Sequence, residues 1–302
     1  MPHASSPTER VTVNVWGGLG NRLFMIAAGF LESTKLGCPL SIYTDSRFTD
    51  VSKLLGGLDP AILAGVPVEA PDAEKSAVGL RRRVAERLGG AVRSYLPLAA
   101  EETASGQLAD SVVDGVRIRD MKGYFQDFFV VEQAVERGWP RTVRLPEDSM
   151  VAARQLRAQL PQNYVGIHMR LGDYLQPVNQ KKLGLPSLEY FRGALDAITT
   201  HLGDSLPVVV FSDSPQHASG VLADVGIRSH KILGPLDTSS DAQTLWLLSQ
   251  ASAVVLSNST FGWWGAYWGG SDRPVACPAP WHDRVNSQAL VDPTWIQVAK
   301  NP

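Results

Sequence analysis

The sequence predicts an α/β fold of parallel strands joined by helical crossovers and arranged in two halves. Three observations carry this expectation. Short runs rich in Val, Ile and Leu at Val11–Val15, Tyr164–Ile167, Val208–Phe211 and Ala253–Leu256 read as buried strands. Glycine or small polar residues close these runs and helical stretches come next, which is the alternation that builds parallel sheets. The length of 302 residues exceeds that of a usual single domain, so two domains are expected, at residues 1–150 and 151–302.

The first strand, Val11-Thr12-Val13-Asn14-Val15, runs through Trp16-Gly17-Gly18-Leu19-Gly20-Asn21-Arg22-Leu23-Phe24 into a helix that reaches about Thr34. Strand, glycine turn and helix together aim backbone N–H groups at an anion. The turn is not a dinucleotide fingerprint, because Leu23 stands where the third glycine is needed, and no Gly-Lys-Ser/Thr follows to make a Walker loop. Tight packing alone also produces glycine turns. Asn21 adds an amide able to donate to a phosphate or sugar oxygen. Ser41-Ile42-Tyr43 is a short second strand, and residues 50–75 are rich in loop formers. Leu80-Arg81-Arg82-Arg83-Val84-Ala85-Glu86-Arg87-Leu88 reads as a basic amphipathic helix. Peripheral contact with an anionic membrane surface is one role for it; its short apolar stripe favours a solvated face. The stretch from Val116 to Phe129 contains Gly123-Tyr124-Phe125-Gln126, aromatics suited to stacking on a ligand or to filling a core. Residues 146–162 read as the helical connection between the halves.

The second half is organised around Tyr164-Val165-Gly166-Ile167-His168-Met169-Arg170-Leu171-Gly172-Asp173-Tyr174-Leu175. A strand ends here, and His168, Arg170 and Asp173 stand where open α/β sheets bind ligands. A guanidinium at that place offers a fixed fork of donors matched to phosphate oxygens. A local ion pair between Arg170 and Asp173 is the plainer alternative. Ser187 is expected to cap the next helix. The strand Leu206–Phe211 ends at Ser212-Asp213-Ser214-Pro215, where Asp213 is placed either to accept from the N–H edge of a guanine or, with more support from sequence, to cap the following helix. A helix over Asp241–Gln250 and the strand Ala253–Leu256 lead to Ser257-Asn258-Ser259-Thr260-Phe261-Gly262-Trp263-Trp264-Gly265-Ala266-Tyr267-Trp268. Small hydroxyls at a strand-to-helix turn suit a phosphate. The three tryptophans are expected in the core, and the Asn258-Ser259-Thr260 glycosylation pattern is read as accidental.

Composition narrows the function. Lys+Arg 28 against Asp+Glu 30 leaves no basic excess for general nucleic-acid binding. Two cysteines, Cys38 and Cys277, are too few for a disulfide framework or a zinc site and read as packed thiols. Hydrophobic residues make up 44% of the chain, enough for sizeable cores, yet no run reaches membrane-span length. Residues 1–10 are polar and lack the apolar stretch of a signal peptide. A cytoplasmic protein without a membrane span is therefore expected.

Taken together, Gly17-Gly18-Leu19-Gly20-Asn21, Gly123-Tyr124-Phe125-Gln126, His168-Met169-Arg170 with Asp173-Tyr174, Phe211-Ser212-Asp213 and Asn258-Ser259-Thr260-Phe261 with Trp263-Trp264-Gly265 resemble the α-1,2-fucosyltransferases of glycosyltransferase family 11, bacterial type. The resemblance implies a GT-B-like fold of two Rossmann-type domains facing across a cleft, with the acceptor side in the first and the donor, GDP-β-L-fucose, in the second. It implies an inverting transfer of fucose to the 2-hydroxyl of a β-galactoside glycan, without metal or other cofactor. Arg170 would grip the donor diphosphate, with Asn21 near the reacting centre and Asp173 as a weak nominee for general base. Donor contacts would fall on Gly17, Gly18, Gly20, His168, Asp213, Asn258, Ser259, Thr260 and Phe261, and acceptor contacts on Arg22, Tyr124 and Gln126. The family usually has Gln at Arg22, Arg at Leu171, Asp at Ser214 and Ser at Gly262, departures that bear on donor sugar and acceptor while Arg170 is kept.

No Asp-x-Asp occurs in the sequence, which fits a site where cations and N–H groups neutralise the leaving diphosphate. Two other classes compete: a GDP-sugar-binding module without catalysis, and a carbohydrate-binding protein with the tryptophans as surface platforms.

Overall fold

The computed structural model describes residues 9–44, 51–63, 106–113, 116–172, 184–283 and 287–302. The basic stretch Leu80–Leu88 and Asp173 lie outside the described residues. Two compact units emerge, one within Met1–Gly17, Arg22–Val51 and Leu63–Trp139, the other within Gly18–Asn21, Ser52–Ile62 and Pro140–Pro302. The boundary at Trp139/Pro140 precedes the helical stretch that the sequence suggests as a connection, so that stretch packs with the second unit.

The first unit holds a four-stranded sheet ordered β2-β1-β4-β3. Strands β1 (Glu9–Val15), β2 (Leu40–Thr44) and β4 (Val116–Gly123) run parallel, whereas β3 (Gly106–Val113) is antiparallel to β4. Val11, Val13 and Val15 of β1 are buried, as the alternation of a strand covered by a helix requires. Helix α1 (Leu19–Leu36) follows directly, and Leu23, Phe24, Ile26 and Ala27 are sealed in the core. Helix α2 (Phe128–Glu136) begins at Asp127, whose carboxylate accepts from the backbone N–H groups of Phe129 and Val130. The β3–β4 hairpin is a departure from the sequence reading. Val113 pairs with Val116, so two residues connect the strands, and the Asp114-Gly115 pair there is a hairpin signal in the sequence. Edge strand β3 is exposed from Gln107 to Val112, so it lacks the apolar alternation that marks a half-buried strand.

The second unit is a six-stranded, wholly parallel sheet ordered β10-β9-β8-β5-β6-β7. Its strands are β5 (Val165–Met169), β6 (Val208–Ser212), β7 (Ser229–Leu233), β8 (Ala253–Leu256), β9 (Val275–Ala279) and β10 (Ile296–Ala299). The crossovers run through α4 (Leu188–Leu202), α5 (Pro215–Asp224), α6 (Asp241–Ser249) and α7 (Thr260–Tyr267), with α3 (Glu147–Arg157) ahead of the first strand. Ser187 caps α4 by accepting from the Tyr190 N–H, as expected. The core joins Val165, Ile167, Val208, Val210, Ala253 and Val255 to Tyr190, Phe191 and Ile198 of α4.

Helix α7 is buried on all sides, which only a central helix tolerates. Trp263, Trp264 and Trp268 are all buried, and each indole N–H finds a carbonyl, of Leu290, Gly20 and Pro140 respectively. Surface platforms for a glycan they are not. Arg273 binds the carbonyls of Leu248, Ser249 and Ala251 at the end of α6 and those of Gly265 and Ala266 near the end of α7. Its guanidinium therefore meets the negative ends of both helix dipoles, and burial lowers its pKa to about 10.

Candidate active site

Strand order places the candidate site. From β5 the chain moves outward to β6 and β7, then crosses back to β8 on the other flank of β5. The carboxyl ends of β5 and β8 are thus a topological switch point, where open parallel sheets leave a crevice for ligands. His168 lies near the carboxyl end of β5, Arg170 just beyond it, and Ser257–Phe261 follow β8, so the geometry brings together residues about 90 positions apart.

The turns are cross-tied there. The Ser257 N–H donates to the His168 carbonyl, and the Arg170 N–H donates to Ser257 Oγ at 3.1 Å. The His168 ring stacks on Phe261 with centroids 5.5 Å apart. Burial, and secondly the charge of Arg170, lowers the His168 pKa to about 4, so the ring is neutral at neutral pH. Gly262 makes this arrangement fit, since a Cβ there would lie 2.7 Å from Nδ1 of His168.

Asp213 at the end of β6 takes a different part from the expected helix cap. Ser214 is the N-cap residue of α5, and the Asp213 carboxylate instead accepts from the N–H groups of Leu171 and Gly172 at 2.8 and 3.1 Å. Its Oδ2 also pairs with Arg170 Nη1 at 3.1 Å, and the arginine side chain is 36% exposed. One carboxylate therefore holds the turn after β5 and orients its guanidinium.

The glycine turn is split in character. Gly20 lies against the first turn of α7, where a Cβ would come within 2.4 Å of the Phe261 nitrogen and of the Thr260 carbonyl carbon. Thr260 Oγ1 donates to Asn21 Oδ1 at 2.7 Å, and Trp264 Nε1 donates to the Gly20 carbonyl at 3.0 Å. Gly20 and Asn21 thus join the switch-point cluster through packing. Gly17 and Gly18 are exposed; Gly17 has φ +79°, and nothing lies within 4 Å of a Cβ on Gly18. Ser259 is the buried N-cap residue of α7 and makes no side-chain capping bond. Asn258 is sealed, and its Nδ2 donates to the Gly184 carbonyl at 2.7 Å, so its amide braces a loop. That burial also removes it from glycosylation.

A second group lies at the carboxyl ends of β1 and β4 in the first unit. Trp16 and Tyr124 pack at 5.4 Å, Gln126 is buried beside them in sequence, and Arg22 is buried on α1. Phe125 between them has φ +51°, a strained value for a bulky residue and one found at binding sites. Ser257 and Gly262 hold and fit the His168 ring, a part that the sequence does not give them. Ser257 reads there as one more hydroxyl for a phosphate, and its partners lie 87 and 89 residues away.

Among the described residues, no three His, Cys, Asp or Glu side chains gather as a metal site, and no helix is long and apolar enough to cross a membrane.

The chain is 22% identical over 96% of its length to an α-1,2-colitosyltransferase of Escherichia coli, of which 99% is covered. Over 52% of its length it is 26% identical to the mouse galactoside 2-α-L-fucosyltransferase Sec1, covering 44% of that protein. Among solved structures, fucosyltransferase NodZ from Bradyrhizobium superposes with a TM-score of 0.51 at 16% identity, covering 86% of this chain and 93% of NodZ. That likeness shows a GT-B-type α/β fold. The model of the family described as glycosyl transferase family 11 matches residues 116–299, more than half of the chain and the whole switch-point cluster from β5 to α7. The chain belongs to glycosyl transferase family 11.

Proposed function

We propose that this chain transfers L-fucose from GDP-β-L-fucose to the 2-hydroxyl of a β-galactoside glycan, with inversion at the anomeric carbon. The observation that carries the reading is Arg170 at the switch point, its guanidinium held by Asp213 and its N–H by Ser257 in the turn that leads into α7. An acceptor hydroxyl attacks the anomeric carbon, the bond to the β-phosphate oxygen breaks, and GDP leaves with the electron pair. The leaving diphosphate gains charge, and Arg170 together with the amides of the α7 first turn supplies the compensating donors. No step in this scheme calls on a metal. Asp173 stays the nominee for the base that takes the hydroxyl proton, and Arg22, Tyr124 and Gln126 stay the acceptor-side candidates, with Trp16 packed against Tyr124. A neighbouring structure, NodZ soaked with GDP-fucose (TM-score 0.50), supports the donor, and the mouse relative's name supports the linkage.

A second donor has a specific observation behind it. A relative matched over nearly the full chain is named for colitose, which is fucose without its 3-hydroxyl. The test is to incubate the protein with GDP-fucose and, separately, GDP-colitose, against a panel of β-galactosides, with and without excess EDTA. An α-1,2-fucosylated product formed at an undiminished rate in EDTA is expected. Product from GDP-colitose alone overturns the donor, binding without turnover indicates a non-catalytic module, and rescue by Mg²⁺ or Mn²⁺ overturns the metal-free scheme.

A further inference from the structure

The hydroxyl of Ser257 is engaged inside the protein. Ser257 is 1% exposed, and its Oγ has two hydrogen-bonding neighbours: the Arg170 N–H at 3.1 Å and Nδ1 of His168 at 3.3 Å. The Arg170 N–H can only donate, so the hydroxyl proton has one place to go, Nδ1. Nδ1 is then bare, and the proton of the neutral imidazole sits on Nε2, an assignment made from the network. Nε2 makes no hydrogen bond to the described residues.

We propose that Ser257 is a positioning residue that locks His168 as the Nε2–H tautomer, so that the ring donates a hydrogen bond to an acceptor oxygen of the bound nucleoside diphosphate sugar. The ligand's identity rests on the donor-site reading above; the tautomer does not. The same hydroxyl fixes the Arg170 backbone, so one serine couples two groups that meet the ligand. Gly262 packs close against the same part of the ring, because a Cβ at 262 would lie 2.7 and 2.8 Å from Nδ1 and Cγ. Flipping the ring would turn a C–H toward Ser257 and leave its hydroxyl without an acceptor in a buried place, which is unfavourable. The depressed pKa of His168 agrees with a ring that stays neutral and works as a donor rather than as a cation.

The test uses the full chain labelled with ¹⁵N-histidine, in wild-type, Ser257→Ala and Ser257→Thr forms, with His168→Gln to assign the signal. Long-range ¹H–¹⁵N spectra near neutral pH should show His168 with a bare Nδ1 and a protonated Nε2 in the wild type. Ser257→Ala should shift the ring towards the other tautomer and weaken GDP binding roughly tenfold, about 1.4 kcal/mol. Ser257→Thr, which keeps the hydroxyl, should restore both. A wild-type or Ser257→Thr ring protonated at Nδ1 overturns the proposal, as does an Ala variant with unchanged tautomer and unchanged affinity. Should the Ala variant fail to fold, the wild-type and Thr spectra decide. Absence of GDP binding to the wild type refutes the donor-site reading and is scored apart from the tautomer.

Discussion

Replacing Asp213 by alanine separates two uses of one carboxylate, reading a guanine and holding a turn. Its Oδ1 accepts from the Leu171 and Gly172 N–H groups, and its Oδ2 meets the Gly172 N–H and Arg170 Nη1, each at 3.1 Å. A carboxylate has about four lone-pair directions, so three protein donors occupy it. Hydrogen bonds to a charged acceptor contribute about 1.5–3 kcal/mol each when buried. The Asp213 side chain is 22% exposed and water can replace part of this, so the whole change is set near 1–2 kcal/mol. The effect reaches the ligand through Arg170 and the turn it sits on, which the proposed donor site sets against the diphosphate. Calorimetry with GDP and with UDP should therefore show both affinities falling by the same factor, about tenfold. Asp213→Asn, which keeps one carbonyl oxygen for the amides, should recover part of the loss. A drop for GDP with UDP untouched would refute this reasoning and return Asp213 to the guanine edge.

Other perturbations probe the same cluster. Arg170→Lys keeps the charge and loses the fork, so GDP affinity should fall by about 1.5–3 kcal/mol; near-normal affinity by calorimetry would remove Arg170 from the phosphate site. Gly20→Ala forces a Cβ into the backbone of Thr260 and Phe261 and should cost about 1–3 kcal/mol, whereas Gly18→Ala meets nothing within 4 Å; equal melting temperatures for the two variants would contradict the packing described. His168 binds its proton at about 4 when folded against 6.5 in the unfolded chain. The unfolded chain thus binds more protons between these values, so stability is complete above about pH 6.5 and declines as the pH falls towards 4, by up to about 3 kcal/mol. Urea unfolding of the wild type and of His168→Gln near pH 7 and pH 5 measures this, and parallel losses in the two proteins would show that another group is responsible.

Much of the second unit was legible because its sheet is parallel and buried on both faces. Such strands appear as contiguous apolar runs, which is how β5, β6 and β8 show themselves, and the turns at their ends hold the ligand chemistry. Less regular strands stayed hidden. β7 begins Ser229-His230-Lys231, and β9 contains Pro278, normally a mark against a strand. Pairing of β9 with β8 stops at Ala276, so Pro278 falls beyond the ladder on that side. The site was legible as a set of residues and far less so as a set of roles. Asp213 stands in the place of a helix cap, but its partners lie 41 and 42 residues back along the chain. Ser257, Asn258 and Ser259 share a turn with Thr260, yet the fold buries the first three, and no local pattern distinguishes them.

The carboxyl ends of β5 and β8 are proposed to bind the nucleoside diphosphate. Titrating unlabelled GDP into the ¹⁵N-labelled protein, with EDTA present, tests this most directly. Saturable shifts are expected at the amides of Arg170–Gly172 and Ser259–Gly262 and at the side chain of Arg170. Saturable shifts confined to the ends of β1 and β4 in the first unit, or no shifts at any GDP concentration, would contradict it.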